Sequence, residues 1–116
     1  MARKNSHKHL LASEQSLAAD FNSDAVNVEF LDNVAIAIET SGITDNTGQF
    51  TLQGKVNNSN WLDITLDPAI AALADTDANF LIELSNFPYS QFRIKFVAAG
   101  GTPDGECNIN IQMKMI

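Results

Sequence analysis

Alternation of apolar and polar residues is clearest between residues 49 and 66, where the sequence reads QFTLQGKVNNSNWLDITL. Apolar side chains recur at every second position in residues 50–52 and again in residues 62–66, and an Asn-rich segment, residues 57–60, separates the two runs. A period of two is typical of a strand with one buried face, and Asn favours turns. The pattern predicts a β-hairpin, and because an isolated hairpin is marginally stable in water, other strands must cover its apolar face.

The same alternation occurs in five further segments, residues 26–30, 34–38, 80–84, 92–97 and 107–115. With the hairpin they give seven strands separated by polar turns, which is the pattern of an antiparallel sandwich. We therefore predict an all-β fold, a single antiparallel, jelly-roll-like β-sandwich of about seven to eight strands. The inward positions predict a core of Val28, Phe30, Ile36, Ile38, Phe50, Leu52, Leu62, Ile64, Phe80, Ile82, Phe92, Ile94, Phe96, Ile109 and Ile111.

The N-terminal segment shows no sustained alternation. Its scattered apolar residues, among them Leu10, Leu17 and Phe21, would form at most a short helical stripe, and no clear capping box precedes them. We predict a flexible, basic and mostly extended N-terminal arm over residues 1–24, followed by the β-sandwich domain over residues 25–116.

One short helix is predicted after the hairpin. The segment AIAALA, residues 69–74, is rich in helix-forming residues. Asp67 could cap the helix, and Pro68 would occupy its first helical position. The helix would have one or two turns.

Charge is distributed unevenly along the chain, whose formal net charge is −7. Arg3, Lys4 and Lys8 supply three of the seven basic residues, so the chain from residue 9 onward carries four basic residues against all fourteen acidic ones. Nucleic-acid binding relies on basic residues that neutralise phosphates, and we therefore expect no nucleic-acid partner for this acidic body. No segment has the apolar length of a membrane span or a secretory signal, which predicts a protein made in the cytoplasm.

Residue types that carry catalysis or bind metal ions form no convincing constellation. His7 and His9 lie in the arm, where nothing holds a catalytic base in place, and Cys107 lies on the apolar side of a strand, as a buried hydrophobe does. The segment DTDAN, residues 75–79, resembles the start of a calcium loop but lacks the glycine and glutamate of an EF-hand, so a polar loop is favoured over a different calcium site. We predict no enzymatic activity, no cofactor and no metal.

Three aromatic residues could instead stack on a ligand. Alternation places Trp61 on the face of its strand opposite the apolar residues. Together with Tyr89 and Phe87 it could form a platform for a sugar ring. A Trp at the start of a strand also commonly caps the end of a core or fills an interface.

Five motifs are spread over most of the chain after residue 16: DFNS at residues 20–23, LDNVAI at 31–36, GQFTLQG at 48–54, NWLDITL at 60–66 and FRIKF at 92–96. Together they resemble small virion structural proteins of bacterial viruses. The resemblance implies a non-enzymatic component of the virion that decorates or stabilises the capsid or forms part of the neck or tail. Its partners would be other virion proteins and further copies of itself, and it would be made in the host cytoplasm.

A second resemblance covers only the hairpin. The segment from FTLQG to NWLDI is similar to part of the discoidin-like, galactose-binding β-sandwiches, with KVNNS at residues 55–59 where those proteins have Ser-x-Asp-Gly. This implies an alternative function, a carbohydrate-binding module that would use Trp61 and nearby loops to bind a glycan such as one on a host surface.

For the structural role, three parts of the chain are the expected contact surfaces. The arm and the last strand can reach neighbouring subunits, and the small alanine side chains in residues 34–38 suit close packing. The interface candidates are Arg3, Lys4, Lys8, Leu10, Leu11, Leu17, Phe21, Ala35, Ala37, Met113 and Met115.

Overall fold

The computed structural model describes residues 5–27, 33–57, 59–66, 69–85 and 89–115. These residues contain nine β-strands and no helix. The strands are β1 (Asn5–Ser16), β2 (Phe21–Asn22), β3 (Val26–Asn27), β4 (Asn33–Ser41), β5 (Gln49–Lys55), β6 (Leu62–Asp63), β7 (Asn79–Ser85), β8 (Gln91–Val97) and β9 (Glu106–Met115).

Two antiparallel sheets form the sandwich. The four-stranded sheet has the order β1-β9-β4-β7, and the five-stranded sheet has the order β2-β8-β5-β6, with β3 also paired to β8. Because β2 and β3 both pair with β8, on the side away from β5, each sheet has four strand positions. This interleaving of strands from two sheets is the jelly-roll arrangement, and it confirms the predicted all-β antiparallel sandwich.

Apolar side chains from both sheets meet in the core. Across the four-stranded sheet, Ile82, Ile36 and Ile111 are register partners, and all three are buried. The opposite sheet contributes Phe50 and Phe96, whose ring centroids are 4.7 Å apart. This close packing of large side chains is the main source of stability for a domain of this size.

The core differs from the predicted one at several positions. Leu62 is 62% exposed, so its assignment to the core was wrong; it lies on a two-residue strand at the edge of its sheet. Ile64 and Phe80 are only partly buried, and Val28 and Phe30 lie outside the described residues. Buried apolar residues that the predicted core did not include are Leu11, Leu17, Val26, Val34, Ile43, Ile70, Leu73 and Cys107.

The N-terminal segment is part of the sandwich as far as it is described. Residues 5–16, inside the expected arm, form β1, which pairs with β9 from Asn5 opposite Met115 to Ser16 opposite Glu106. The register shifts on both sides of Ala12, so an irregularity interrupts the alternation there. Leu11 and Leu17 enter the core, and a boundary at residue 24 therefore does not separate these residues from the sandwich.

The predicted helix over residues 69–74 is wrong. The segment has no regular secondary structure, and its Leu73 N–H donates a hydrogen bond to the carbonyl of Gly48 (2.8 Å). The side-chain amide of Gln49 donates a hydrogen bond to the carbonyl of Ile70 (3.0 Å). Ile70 and Leu73 are buried, so contacts with the sandwich override the helical propensity of the segment. The proposed cap at Asp67 and Pro68 lies outside the described residues.

Replacement of a core aromatic residue tests this packing. We expect Phe50→Ala to lower the free energy of unfolding by about 3 to 5 kcal/mol, because it leaves a cavity where a fully buried ring stood. Leu62→Ala is the control and should change it by less than about 0.5 kcal/mol, since Leu62 is exposed. Urea denaturation measures both values. Equal costs at the two sites would contradict the assignment of the core.

Candidate interaction surfaces

An apolar patch lies on the outer face of the four-stranded sheet. We define it as Leu10 on β1, Ala35 and Ala37 on β4, and Leu81 on β7. Leu81 is 66% exposed and Leu10 is 46% exposed, while the two alanines are half-buried. The inward neighbours of the alanines, Val34, Ile36 and Ile38, fill the core, so alternation leaves the small side chains on the outer surface. The patch forms a shallow groove with Asn110 and Gln112.

The strand register arranges this face in rows. One row runs Leu10, Asn110, Ala37, Leu81 across the four strands. The neighbouring row runs from the backbone position of Lys8 through Gln112 and Ala35 to Glu83. Each row therefore has a small residue on β4, Ala37 in the first and Ala35 in the second.

Three other interface candidates, Leu11, Leu17 and Phe21, do not lie on this face. Leu11 and Leu17 are buried in the core of the same chain. Phe21 is half-buried and packs against Phe96, with 5.7 Å between ring centroids. Arg3 and Lys4 lie outside the described residues, and Met113 and Met115 are described only as backbone positions of β9.

Trp61 lies on the outer face of the five-stranded sheet. The Arg93 guanidinium lies 4.5 Å from the centroid of the Trp61 ring, and the Lys55 ammonium lies 5.7 Å from it. Arg93 and Lys55 occupy the outward positions of β8 and β5, because Phe92, Ile94 and Leu52 between them face the core. Cations at these distances are attracted by the electron-rich ring face.

Gln53 joins three strands of the five-stranded sheet. Its amide donates a hydrogen bond to the Asp63 carboxylate on β6 (2.9 Å) and accepts one from Arg93 Nε on β8 (2.9 Å). Gln53 is only 6% exposed, so both hydrogen bonds are needed to satisfy a buried amide. The arrangement holds the Arg93 side chain in one orientation.

Trp61 and Tyr89 do not share a platform. A Cβ built on Gly54 would lie 2.9 Å from the Tyr89 ring, and Gly54 is an inward position of β5. Tyr89 therefore packs on the core side of the sheet, whereas Trp61 packs on the outer side. The third aromatic residue of the predicted platform, Phe87, lies outside the described residues.

Acidic side chains at one end of the sandwich bind backbone N–H groups. The Asp104 carboxylate accepts hydrogen bonds from the N–H groups of Thr44 (2.9 Å) and Asp45 (3.0 Å) and from the Thr44 hydroxyl. Asp77, in the segment that resembles a calcium loop, accepts the Ile43 N–H (2.8 Å). Within the described residues, no three His, Cys, Asp or Glu side chains come together as a metal site would require.

Asn46 ties these loops to the N-terminal segment. Its amide nitrogen donates to the carbonyls of Leu17 and Asp104, both at 2.9 Å, and its oxygen accepts the Gly48 N–H at 2.9 Å. Asn46 is fully buried, so this set of bonds fixes the loop geometry rather than offering a polar group to a ligand.

Cys107 is not placed for nucleophilic chemistry. It is 1% exposed, and burial raises the pKa of its thiol to about 12. A thiol in that environment stays protonated and unreactive. His7 and His9 are described only by their backbone positions in β1. No helix among the described residues is long and apolar enough to cross a membrane.

Comparison with known proteins identifies the fold. No family model matches the sequence, and no curated protein matches it. Among solved structures, the SPBc2 prophage-derived protein YomS is similar, with a TM-score of 0.61 and 8% identity over 98% of this chain and 96% of that one. The VP2 protein of the infectious bursal disease virus subviral particle is also similar, with a TM-score of 0.60 and 8% identity over 97% of this chain and 33% of VP2.

A carbohydrate-binding domain shares the architecture as well. The CBM22-1 xylan-binding domain of Paenibacillus barcinonensis Xyn10C matches with a TM-score of 0.52 and 12% identity over 100% of this chain and 86% of that one. At these identities the similarities establish the sandwich fold alone, because one fold hosts many functions.

Sequence reasoning missed three residues of these surfaces. Leu81 alternates with Phe80 and Ile82, so the sequence already indicated an outward leucine. The same alternation placed Arg93 and Lys95 outward on β8. The contact between Arg93 and Trp61 had no signal in the sequence, because it joins segments more than 30 residues apart.

The hydrogen bonds to Asp104 predict a dependence of stability on pH. The Asp45 N–H, then the hydroxyl and N–H of Thr44, lower the pKa of Asp104 below its ordinary value of 3.8. A lowered pKa means that the stabilisation is fully present above pH 3.8 and is lost as the pH falls through the folded-state value. Thermal unfolding of Asp104→Asn should therefore differ most from the parent protein near neutral pH, and the difference should shrink below pH 3.8.

The control is Asp24→Asn, which removes an exposed carboxylate elsewhere on the chain. We expect it to change the melting temperature little across the same pH range. A difference between Asp104→Asn and the parent protein that stays constant from neutral pH to pH 2 would contradict this role for the Asp104 charge.

Proposed function

We propose that this protein is a non-enzymatic structural component of a bacterial virus particle. In this role it decorates or stabilises the capsid, or forms part of the neck or tail, through protein–protein contacts. The observation that carries the proposal is the match to the prophage-derived protein YomS, which extends over almost the whole of both chains. The match to VP2 of a subviral particle supports it, since the jelly roll is a common capsid architecture. The proposed location is the virion, after synthesis in the host cytoplasm.

The apolar patch supports a role in assembly. Two exposed leucines and two alanines on one sheet face form an exposed apolar surface, and such surfaces commonly mark protein contacts. The small side chains of Ala35 and Ala37 allow a second sheet to approach this face closely. We therefore propose that copies of this chain contact one another through the outer face of the four-stranded sheet.

The order of residues along the rows suits a two-fold contact between copies. Consider two copies whose four-stranded sheets pack face to face about a two-fold axis parallel to β4 and β9. Each row then lies against the same row of the other copy, with the order of its residues reversed. Leu10 of one copy then lies opposite Leu81 of the other, and Asn110 lies opposite Ala37. In the neighbouring row, the position of Lys8 comes opposite Glu83, so the charges at the two edges are complementary.

Substitution of Leu81 tests this contact. We expect the full chain to form a dimer or larger assembly in solution, and Leu81→Lys to weaken self-association by about tenfold or more, because it places a charge in the apolar contact. Val97→Lys is the matched control, since Val97 is a 42% exposed apolar residue on the other sheet. Light scattering over a concentration series measures the mass. A parent protein that stays monomeric, or equal effects of the two substitutions, would contradict the assignment.

Charge exchange distinguishes the two-fold arrangement from a general apolar contact. Glu83→Lys and Lys8→Glu should each weaken self-association, since each places like charges opposite one another. The double variant should restore much of the loss, because the opposite charges are exchanged between the two edges. Additive losses in the double variant would contradict the proposed axis.

A further inference from the structure

Positive charge in the body of this acidic protein is concentrated on one sheet face. From residue 9 onward the chain has four basic residues, and three of them, Lys55, Arg93 and Lys95, occupy outward positions of β5 and β8. We call these three residues the basic stripe. The fourth, Lys114, belongs to β9 in the other sheet. An acidic body that collects its cations on one face presents a local site for an anionic partner.

The basic stripe follows a line across two neighbouring strands. Arg93 and Lys95 are two positions apart on β8, which separates them by about 7 Å. Gln53 is the register partner of Arg93, and Lys55 is therefore diagonal to Arg93, at a spacing of about 7 to 8 Å. The three charges form a row rather than a single pocket, as an extended ligand requires.

Neighbouring residues orient the Arg93 side chain in a way that suits carboxylate binding. Its Nε donates to Gln53, and its guanidinium lies 4.5 Å from the centroid of the Trp61 ring, so contacts with two residues hold the side chain in place. Asp63 bonds to Gln53 and forms no direct ion pair with Arg93 within the described part of the chain, so the terminal NH₂ groups of Arg93 are not occupied by its acidic neighbour. The terminal NH₂ groups form a fork that matches a planar carboxylate, and a fixed fork loses little freedom on binding.

The groups around the stripe favour a carbohydrate. Thr51 and Gln91 are half-buried outward residues of the same two strands, and their polar groups suit sugar hydroxyls. Trp61 adds an apolar surface beside the cations.

From these observations we infer that the outer face of the five-stranded sheet binds an acidic polysaccharide whose sugars carry carboxylates, with Arg93 as the central contact and Lys55 and Lys95 at its sides. The proposed binding site lies on the sheet opposite the apolar patch and is separate from the proposed assembly contact. Tyr89 is not part of the site, because it lies on the core side of the sheet.

The fluorescence of Trp61 provides the test, because it is the one tryptophan of the chain. Titration of the full-length protein with polygalacturonate should change the emission in a saturable way, and added salt should weaken the binding. Neutral xylan should bind at least about tenfold more weakly, because it lacks the carboxylates that Arg93 recognises. Equal affinity for xylan, tighter binding of oligodeoxythymidylate, or no saturable change with polygalacturonate would overturn the inference.

Matched charge substitutions locate the site. Arg93→Gln should weaken polygalacturonate binding by about tenfold, and Lys95→Gln, which leaves the Gln53 and Trp61 contacts in place, should weaken it by a smaller factor. Lys114→Gln removes the same charge from the other sheet and should have less than a twofold effect. Leu81→Lys should leave the binding intact, which separates this inference from the proposed assembly contact. Equal losses in Arg93→Gln and Lys114→Gln would show that only net charge matters and would overturn it.

Discussion

The pairing of β9 with β1 on one side and with β4 on the other is the constraint on which the rest of this structure depends. This pairing buries Cys107, Ile109 and Ile111 in the core. It also fixes which outward residues of β1, β9, β4 and β7 share a row. Because side chains alternate with a period of two, a slip of one residue would send the buried side chains to the surface and dissolve the apolar patch. The core and the proposed assembly contact therefore rest on the same register.

Much of the sandwich could be predicted because alternation is a local property. The strands at Gln49–Lys55, Gln91–Val97 and Glu106–Met115 each carry their own pattern, and each was found. The N-terminal strand was not predicted, because the irregularity at Ala12 breaks its alternation and its partner strand lies about 100 residues away in sequence. The helix prediction for residues 69–74 was wrong for a different reason. Their intrinsic preference is helical, but burial of Ile70 and Leu73 against the sandwich decides their conformation.

The candidate surfaces show the same division. Alternation places Ala37, Leu81 and Arg93 outward, and that much is readable from the chain. Which outward residues become neighbours depends on sheet order, as does the side on which an irregular segment packs. Trp61 and Tyr89 both flank strands of one sheet, yet one packs on the outer face and the other on the core side. The two outer faces of the sandwich consequently differ in chemistry: one has an exposed apolar patch, and the other has the basic stripe.

The most direct test of the account is a cross-link between the edges of the proposed two-fold contact. Leu10→Cys and Leu81→Cys chains would be mixed and treated with a short bismaleimide, while the buried Cys107 reacts slowly in the background. We expect covalent dimers in the mixture, and few in either variant alone, because position 10 of one copy faces position 81 of the other. Efficient cross-linking of Leu10→Cys to itself, or none in the mixture, would contradict it.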